Sequence, residues 1–189
     1  MWALVESNNV TQVYTRPKGL TIGEVNYPSN IFMLWTSSEL EAIGIYEIVI
    51  DNSNLKDQEY YINTDQSFAF ADGTVTASYG TATAKAIADV TNDDDTVTPG
   101  LKTNYKAIIN QQAGGLLQDT DWMIVRAAEG GTAVPSAITT WRAAVRTKAN
   151  AMCTAIGNAA DVDALAALYV YNDATPPVRP LGEFPILGA

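Results

Sequence analysis

The feature that most constrains this chain is a change of period partway along it. Through about residue 90, apolar residues alternate or gather in short β-rich runs. Beyond the polar stretch Thr91-Asn92-Asp93-Asp94-Asp95 and the pair Thr98-Pro99, they recur every three or four residues. A period of two lines one face of a strand, and a period near 3.6 lines one face of a helix. A chain of 189 residues carrying the two patterns in successive blocks reads as α+β. The expected organisation is a small, mostly antiparallel β unit with one short helix over 1–90, then an acidic linker over 91–98. A helical hairpin region follows over 99–171, and an extended proline-rich C-terminal arm over 172–189.

Within the first block, residues 2–6 and 10–15 predict an opening hairpin turned at Asn8-Asn9. Residues 31–35 form a compact apolar segment. Ser37 or Ser38 is expected to cap a helical turn ending at Gly44, and residues 45–50 read as a buried strand. Asp72-Gly73 is a strong type I′ hairpin signal between β-rich segments at 67–71 and 75–81. Phe68 and Phe70 share a strand face, so one side of that hairpin must be covered.

In the second block, Thr98-Pro99 marks a helix start, with the hydroxyl as cap. Leu101, Tyr105, Ile108, Ile109, Gln112 and Leu116 follow one stripe, and Gly114-Gly115 weakens the end of that helix. Asp119-Thr120-Asp121 supplies a fresh cap for a short helix over 122–128, stopped by Gly130-Gly131. A third helix opens at Val134-Pro135-Ser136 and carries Trp141, Val145, Ala149, Met152 and Ile156 along one face. A last short helix over 164–168 is capped by Asp161 or Asp163. Pro176, Pro177, Pro180 and Pro185 then keep residues 172–189 out of regular helix. Leu181, Phe184, Ile186 and Leu187 make that arm too apolar for a solvated tail, so it is expected to pack on its own domain or on a neighbour.

The composition removes most catalytic chemistry. There is no histidine, hence no Ser-His-Asp or Cys-His nucleophilic site and no His-ligated zinc. The single Cys153 cannot form an internal disulfide and, without a base to activate it, reads as a small core filler. A net charge of −10 and a pI near 4.3 argue against binding nucleic acid or an anionic membrane. The longest apolar runs fall short of the ~20 residues a membrane helix needs, and the N-terminus has no signal-peptide pattern, so folding in the cytoplasm is expected. The three consecutive aspartates lack the ligand spacing of a calcium loop and read as solvated linker. No catalytic residue, cofactor site or metal site is expected.

Arg126, Arg142 and Arg146 make a small basic cluster in an acidic chain. They suit a partner's carboxylates, but pairing with Asp119, Asp121 and Glu129 across the helical hairpin is the more economical expectation. Trp122 and Trp141 are expected in the core of that hairpin. Tyr60, Tyr61 or Phe70 would serve a host-glycan-binding module as sugar platforms if their rings lay exposed on one sheet face.

Residues 116–126, followed by Glu129-Gly130-Gly131, Val134-Pro135 and Trp141-Arg142, resemble the C-terminal helical hairpin of the phage tail assembly chaperone family. Members carry Thr-Asp-Trp, then Arg, Glu, Val-Pro, Tyr-Arg and Leu-Arg in that order. The block Leu40-Glu41-Ala42-Ile43-Gly44-Ile45-Tyr46 is similar to an element upstream in the same phage proteins. The resemblance is close over 116–146 and loose over 37–156. It implies that Asp121, Trp122, Pro135 and Trp141 form a structural motif. It further implies a non-enzymatic protein of tailed-bacteriophage tail, tail-fibre or baseplate morphogenesis, located in the virion tail or in the host cytoplasm during assembly. The β unit ahead of the hairpin and the arm behind it depart from a minimal chaperone and suit a structural virion component or assembly factor; the alternative is a transient tail assembly chaperone absent from the virion. Partners would be other tail or fibre proteins or further copies of the chain, met through Arg126, Arg142, Arg146, Leu181, Phe184, Ile186 and Leu187.

Overall fold

The computed structural model describes residues 1–188 and mixes helices with strands, including a curled sheet. The chain divides into two units, Met1–Thr83 and Ala84–Ala189. The division therefore falls ahead of the aspartate run rather than within it.

The strands and helices of the first unit are β1 (Trp2–Glu6), β2 (Asn9–Tyr14), β3 (Leu20–Ile22), β4 (Val25–Tyr27), α1 (Ile31–Leu34), α2 (Ser37–Glu41), β5 (Ile45–Asp51), β6 (Tyr61–Ile62), β7 (Gln66–Ala71) and β8 (Thr74–Tyr79). A two-residue strand, β9 (Thr83–Ala84), lies where the chain leaves the unit. Five strands form one sheet in the order β2-β1-β5-β8-β7, antiparallel throughout except for the parallel pair β5 and β8. Both long hairpins turn on left-handed residues: Ser7 and Asn8 between β1 and β2, and Asp72 and Gly73 between β7 and β8. The first turn thus sits one residue ahead of the expected Asn8-Asn9 position.

The pleat divides the unit's apolar residues between two cores. Ala3, Ile48, Val75 and Ala77 face one side, together with Tyr46, Phe68 and Phe70. This side covers the two phenylalanines, and the Tyr46 and Phe70 ring centroids lie 4.7 Å apart. Leu4, Tyr14 and Ile45 face the other, under Leu20, Ile31, Phe32 and Leu40 from β3, α1 and α2. The strand at 45–51 is only partly buried: Val49 and Ile50 are more than half exposed. The reason is register. β1 pairs with β5 only from Ile45 to Glu47, so the rest of β5 has a strand neighbour on one side. The cap of α2 is Thr36, not Ser37 or Ser38. Its hydroxyl accepts from the Glu39 amide while the Glu39 carboxylate accepts from the Thr36 amide, a reciprocal capping box.

In the second unit, β10 (Val90–Thr91) and β11 (Val97–Thr98) pair as a small antiparallel hairpin. The residues expected as a linker, 91–98, form its turn together with the end of β10 and all of β11, fastened by Asn92 Nδ2 donating to the Thr96 and Thr98 hydroxyls and by Asp94 accepting from Thr96. Four helices follow: α3 (Leu101–Gln118), α4 (Asp121–Ala128), α5 (Ser136–Asn158) and α6 (Val162–Ala167). Thr98 does not cap α3. Its first amides are satisfied from upstream backbone instead: Leu101 N–H donates to Ala86 O and Lys102 N–H to Ile87 O, while Gly100 N–H donates to Asp89 Oδ1. This strap runs so close that a Cβ on Gly100 would fall 2.3 Å from the Ala88 carbonyl carbon.

The helices α3 and α5 run antiparallel, since Cys153 lies beside Lys106 and Asn110 while Arg142 reaches Leu117. Val145, Ala149, Met152 and Ile156 are buried on α5. Tyr105, Ile109 and Ala113 are buried on α3, whereas Ile108 and Leu116, expected on the same stripe, remain exposed. The helix also continues through Gly114 and Gly115 to Gln118. Two glycines cost a helix about 1 kcal/mol each, and packing against α5 offsets that. Asp161 caps α6 through its Oδ1, which accepts from Ala164 N–H at 2.8 Å.

Candidate functional site

Leu117, Thr120, Asp121 and Arg142, four of the residues that carry the resemblance, meet where α3 ends and α4 begins. Asp119 and Thr120 form the bend between these helices, and Arg142 of α5 reaches into it. One guanidinium nitrogen of Arg142 donates to Leu117 O at 2.8 Å and to the Thr120 hydroxyl, and the other donates to Asp121 Oδ1 at 2.7 Å. Thr120 in turn donates its hydroxyl proton to Leu117 O. Arg142 and Thr120 are buried, while the Asp121 side chain is 57% exposed. A planar fork with fixed donors suits such a site, because it satisfies a helix-end carbonyl, a hydroxyl and a carboxylate together. Thr120 was legible only as a cap; its side chain makes no cap bond and serves this node instead.

The three arginines do not act as one cluster. Arg142 belongs to the fold and is withdrawn from any partner. Among the described residues no ion pair joins Arg126 or Arg146 to Asp119 or Glu129. The Arg126 guanidinium lies 4.8 Å from the Trp122 ring centroid, and its Nε is buried without a hydrogen bond. Arg146 is exposed one turn beyond Arg142.

Trp122 is not in the helical core: it is 55% exposed on α4, near exposed Ile124 and Val125, and α4 has no buried residue. A helix of eight residues, held at its start by the Arg142 node, turns most of its apolar surface outward. Trp141 is half-buried, and its indole Nε1 donates to Pro185 O at 2.9 Å. Pro135 precedes α5, and its carbonyl accepts from Thr139 N–H.

Residues 172–188 contain neither helix nor strand and fold back on their own unit. Leu181 is buried and donates its amide to Leu168 O, which removes it from the expected partner contacts. Arg179, missed in the sequence, fastens this segment: its Nε lies 2.7 Å from the Glu183 carboxylate, and its guanidinium stacks on Tyr169 and Tyr171. The Tyr171 hydroxyl donates to Glu183, which holds that carboxyl below its ordinary range. Nothing local announced this pair, because an i, i+4 spacing brings side chains together on a helix and the surrounding prolines exclude one. Phe184 is half-buried, whereas Ile186 and Leu187 are exposed. With Leu116, Trp141 and Pro185 these residues line an open apolar cavity of about 380 Å³.

Elsewhere, two of the three proposed sugar platforms are unavailable: Tyr60 is buried and Phe70 packs into the sheet core, while Tyr61 borders a separate pocket. No helix is long and apolar enough to cross a membrane among the described residues. No protein family, no characterised protein and no solved structure matches the chain.

Proposed function

We propose that the chain is a non-enzymatic protein of a tailed bacteriophage, acting in tail, tail-fibre or baseplate morphogenesis through protein–protein contacts as a structural virion component. The observation that carries this reading is the division of labour within the Thr120-Asp121-Trp122 motif. Thr120 and Asp121 lock α3, α4 and Arg142 together, while Trp122 and Val125 of the same short helix stay exposed. A rigidly held, outward-facing aromatic and aliphatic patch is the kind of surface that macromolecular contacts use. Ile186 and Leu187 add apolar surface in the same unit.

Mass spectrometry of purified particles of the phage encoding the chain tests the reading. A stoichiometric presence, with tail assembly lost on deleting the gene, is the expected result. Loss of assembly with the chain missing from mature particles would establish the transient chaperone instead. Normal particles made without the gene would refute both.

A further inference from the structure

We propose that the first unit carries a binding site for a neutral sugar, a hexose or N-acetylhexosamine, in a pocket beside β6 and the end of β8. The pocket holds about 450 Å³, within the roughly 300–1,000 Å³ range of small-ligand sites. Its lining combines the two kinds of surface that a pyranose presents. Tyr61 and Tyr79 supply half-buried rings for the apolar C–H face of a sugar. Thr64 and Asp65 supply a hydroxyl and a carboxylate for hydroxyls that both donate and accept. Tyr60, one residue earlier, is 7% exposed and belongs to the interior, whereas Tyr61 borders the pocket.

The framework is built before any ligand arrives. Asn63 ties the loop across its base, accepting from Lys56 N–H at 2.9 Å and donating to Lys56 O at 2.7 Å. Thr64 Oγ1 accepts from Gly80 N–H at 2.7 Å, and Asn54 Nδ2 donates to Tyr79 O at 3.0 Å. A loop fixed by these bonds loses little freedom on binding, which is the main cost that a weak, hydroxyl-rich ligand must overcome. Charge selects among sugars. The Lys56 ammonium lies 5.9 Å from the Tyr61 ring centroid, but Asp57, Glu59 and Asp65 outnumber it along the same loop and the whole chain carries −10, which disfavours phosphorylated sugars and uronates.

The test uses the full chain on an array of neutral and acidic glycans. Titration calorimetry with chitotetraose and maltotetraose as probes follows. Retention of neutral glycans is expected, with affinity falling about tenfold in Tyr79→Ala and in Asp65→Asn. Tyr61→Ala, which removes the ring, should weaken binding in the same direction. Asp65 is exposed, so its variant reports on binding even if the tyrosine variants fold poorly. Trp122→Ala, in the other unit, should leave glycan affinity unchanged, which separates this site from the tail-assembly reading. Retention of acidic glycans only, retention of none, or neutral-glycan binding indifferent to both Tyr79→Ala and Asp65→Asn would overturn the proposal.

Discussion

Arg142 shows how one side chain can explain a sequence pattern. Its guanidinium satisfies a helix-end carbonyl, a buried hydroxyl and a half-exposed carboxylate at once. Removing it takes a charged donor from the Leu117 carbonyl and from the Thr120 hydroxyl, which keep each other and the Thr120 amide, and a hydrogen bond to a charged group contributes about 1.5–3 kcal/mol. The Asp121 carboxylate contributes less, because water reaches it. Arg142→Met is therefore expected to lower unfolding stability by about 2–4 kcal/mol in urea titration, and Arg142→Lys should recover only a minor part. Complete rescue by lysine would show that charge alone matters and that the fork geometry does not. The pairing of Arg142 with Asp121 was legible because acidic residues crowd that helix start. The exposure of Trp122 was not, because hydrophobicity alone assigns a large ring to the core. It lies on α4, an eight-residue helix none of whose residues is buried.

At the scale of elements, the helix boundaries were largely legible because turn and cap residues act locally, and the buried stripe of α5 follows its own period. Choices that depend on a partner element were not. Ile108 and Ile109 are equal candidates by sequence, and only the position of α5 selects Ile109. The parallel register of β5 on β8 joins segments that no short turn connects, so nothing local announces it. The start of α3 is a third case, since its first amides are satisfied by the carbonyls of Ala86 and Ile87 and the preceding Gly100 amide by Asp89, all from an upstream strap. The Asp89 carboxylate accepts from the Thr103 side chain and from Gly100 N–H, which together hold it below its ordinary value of 3.8. The sign follows from the lowered value: the stabilisation is complete above 3.8 in pH and is lost as pH falls through the folded-state value. Melting of the second unit should thus weaken on acidification below that point, and Asp89→Asn should flatten this share of the pH dependence. An unchanged acid profile in Asp89→Asn, followed by circular dichroism of the helices, would detach the strap from the stability of α3.

At the scale of the whole molecule, the sequence period switches near residue 91, yet the structural division lies at Thr83/Ala84. The intervening residues have no helical period but serve the helical unit, donating the carbonyls of Ala86 and Ile87 to α3 and forming the β10–β11 hairpin. Periodicity reports the secondary structure of a segment; it does not report which core the segment serves. Both sheet cores of the first unit are assembled entirely from residues before 83, and the buried faces of α3 and α5 entirely from residues after 84. Substitutions that share no partners act additively and locally. Hydrogen exchange on Arg142→Met should accordingly lose protection throughout 101–118 and 136–158, while amides in 45–51 and 74–79 exchange as in the parent. On the readings proposed above, loosening the unit that offers the contact face would leave the sugar pocket of the other competent. Equal loss of protection in both sets of amides would mean that the chain unfolds as one cooperative body, and a contact made by α4 would then reach the Tyr61 pocket through shared stability.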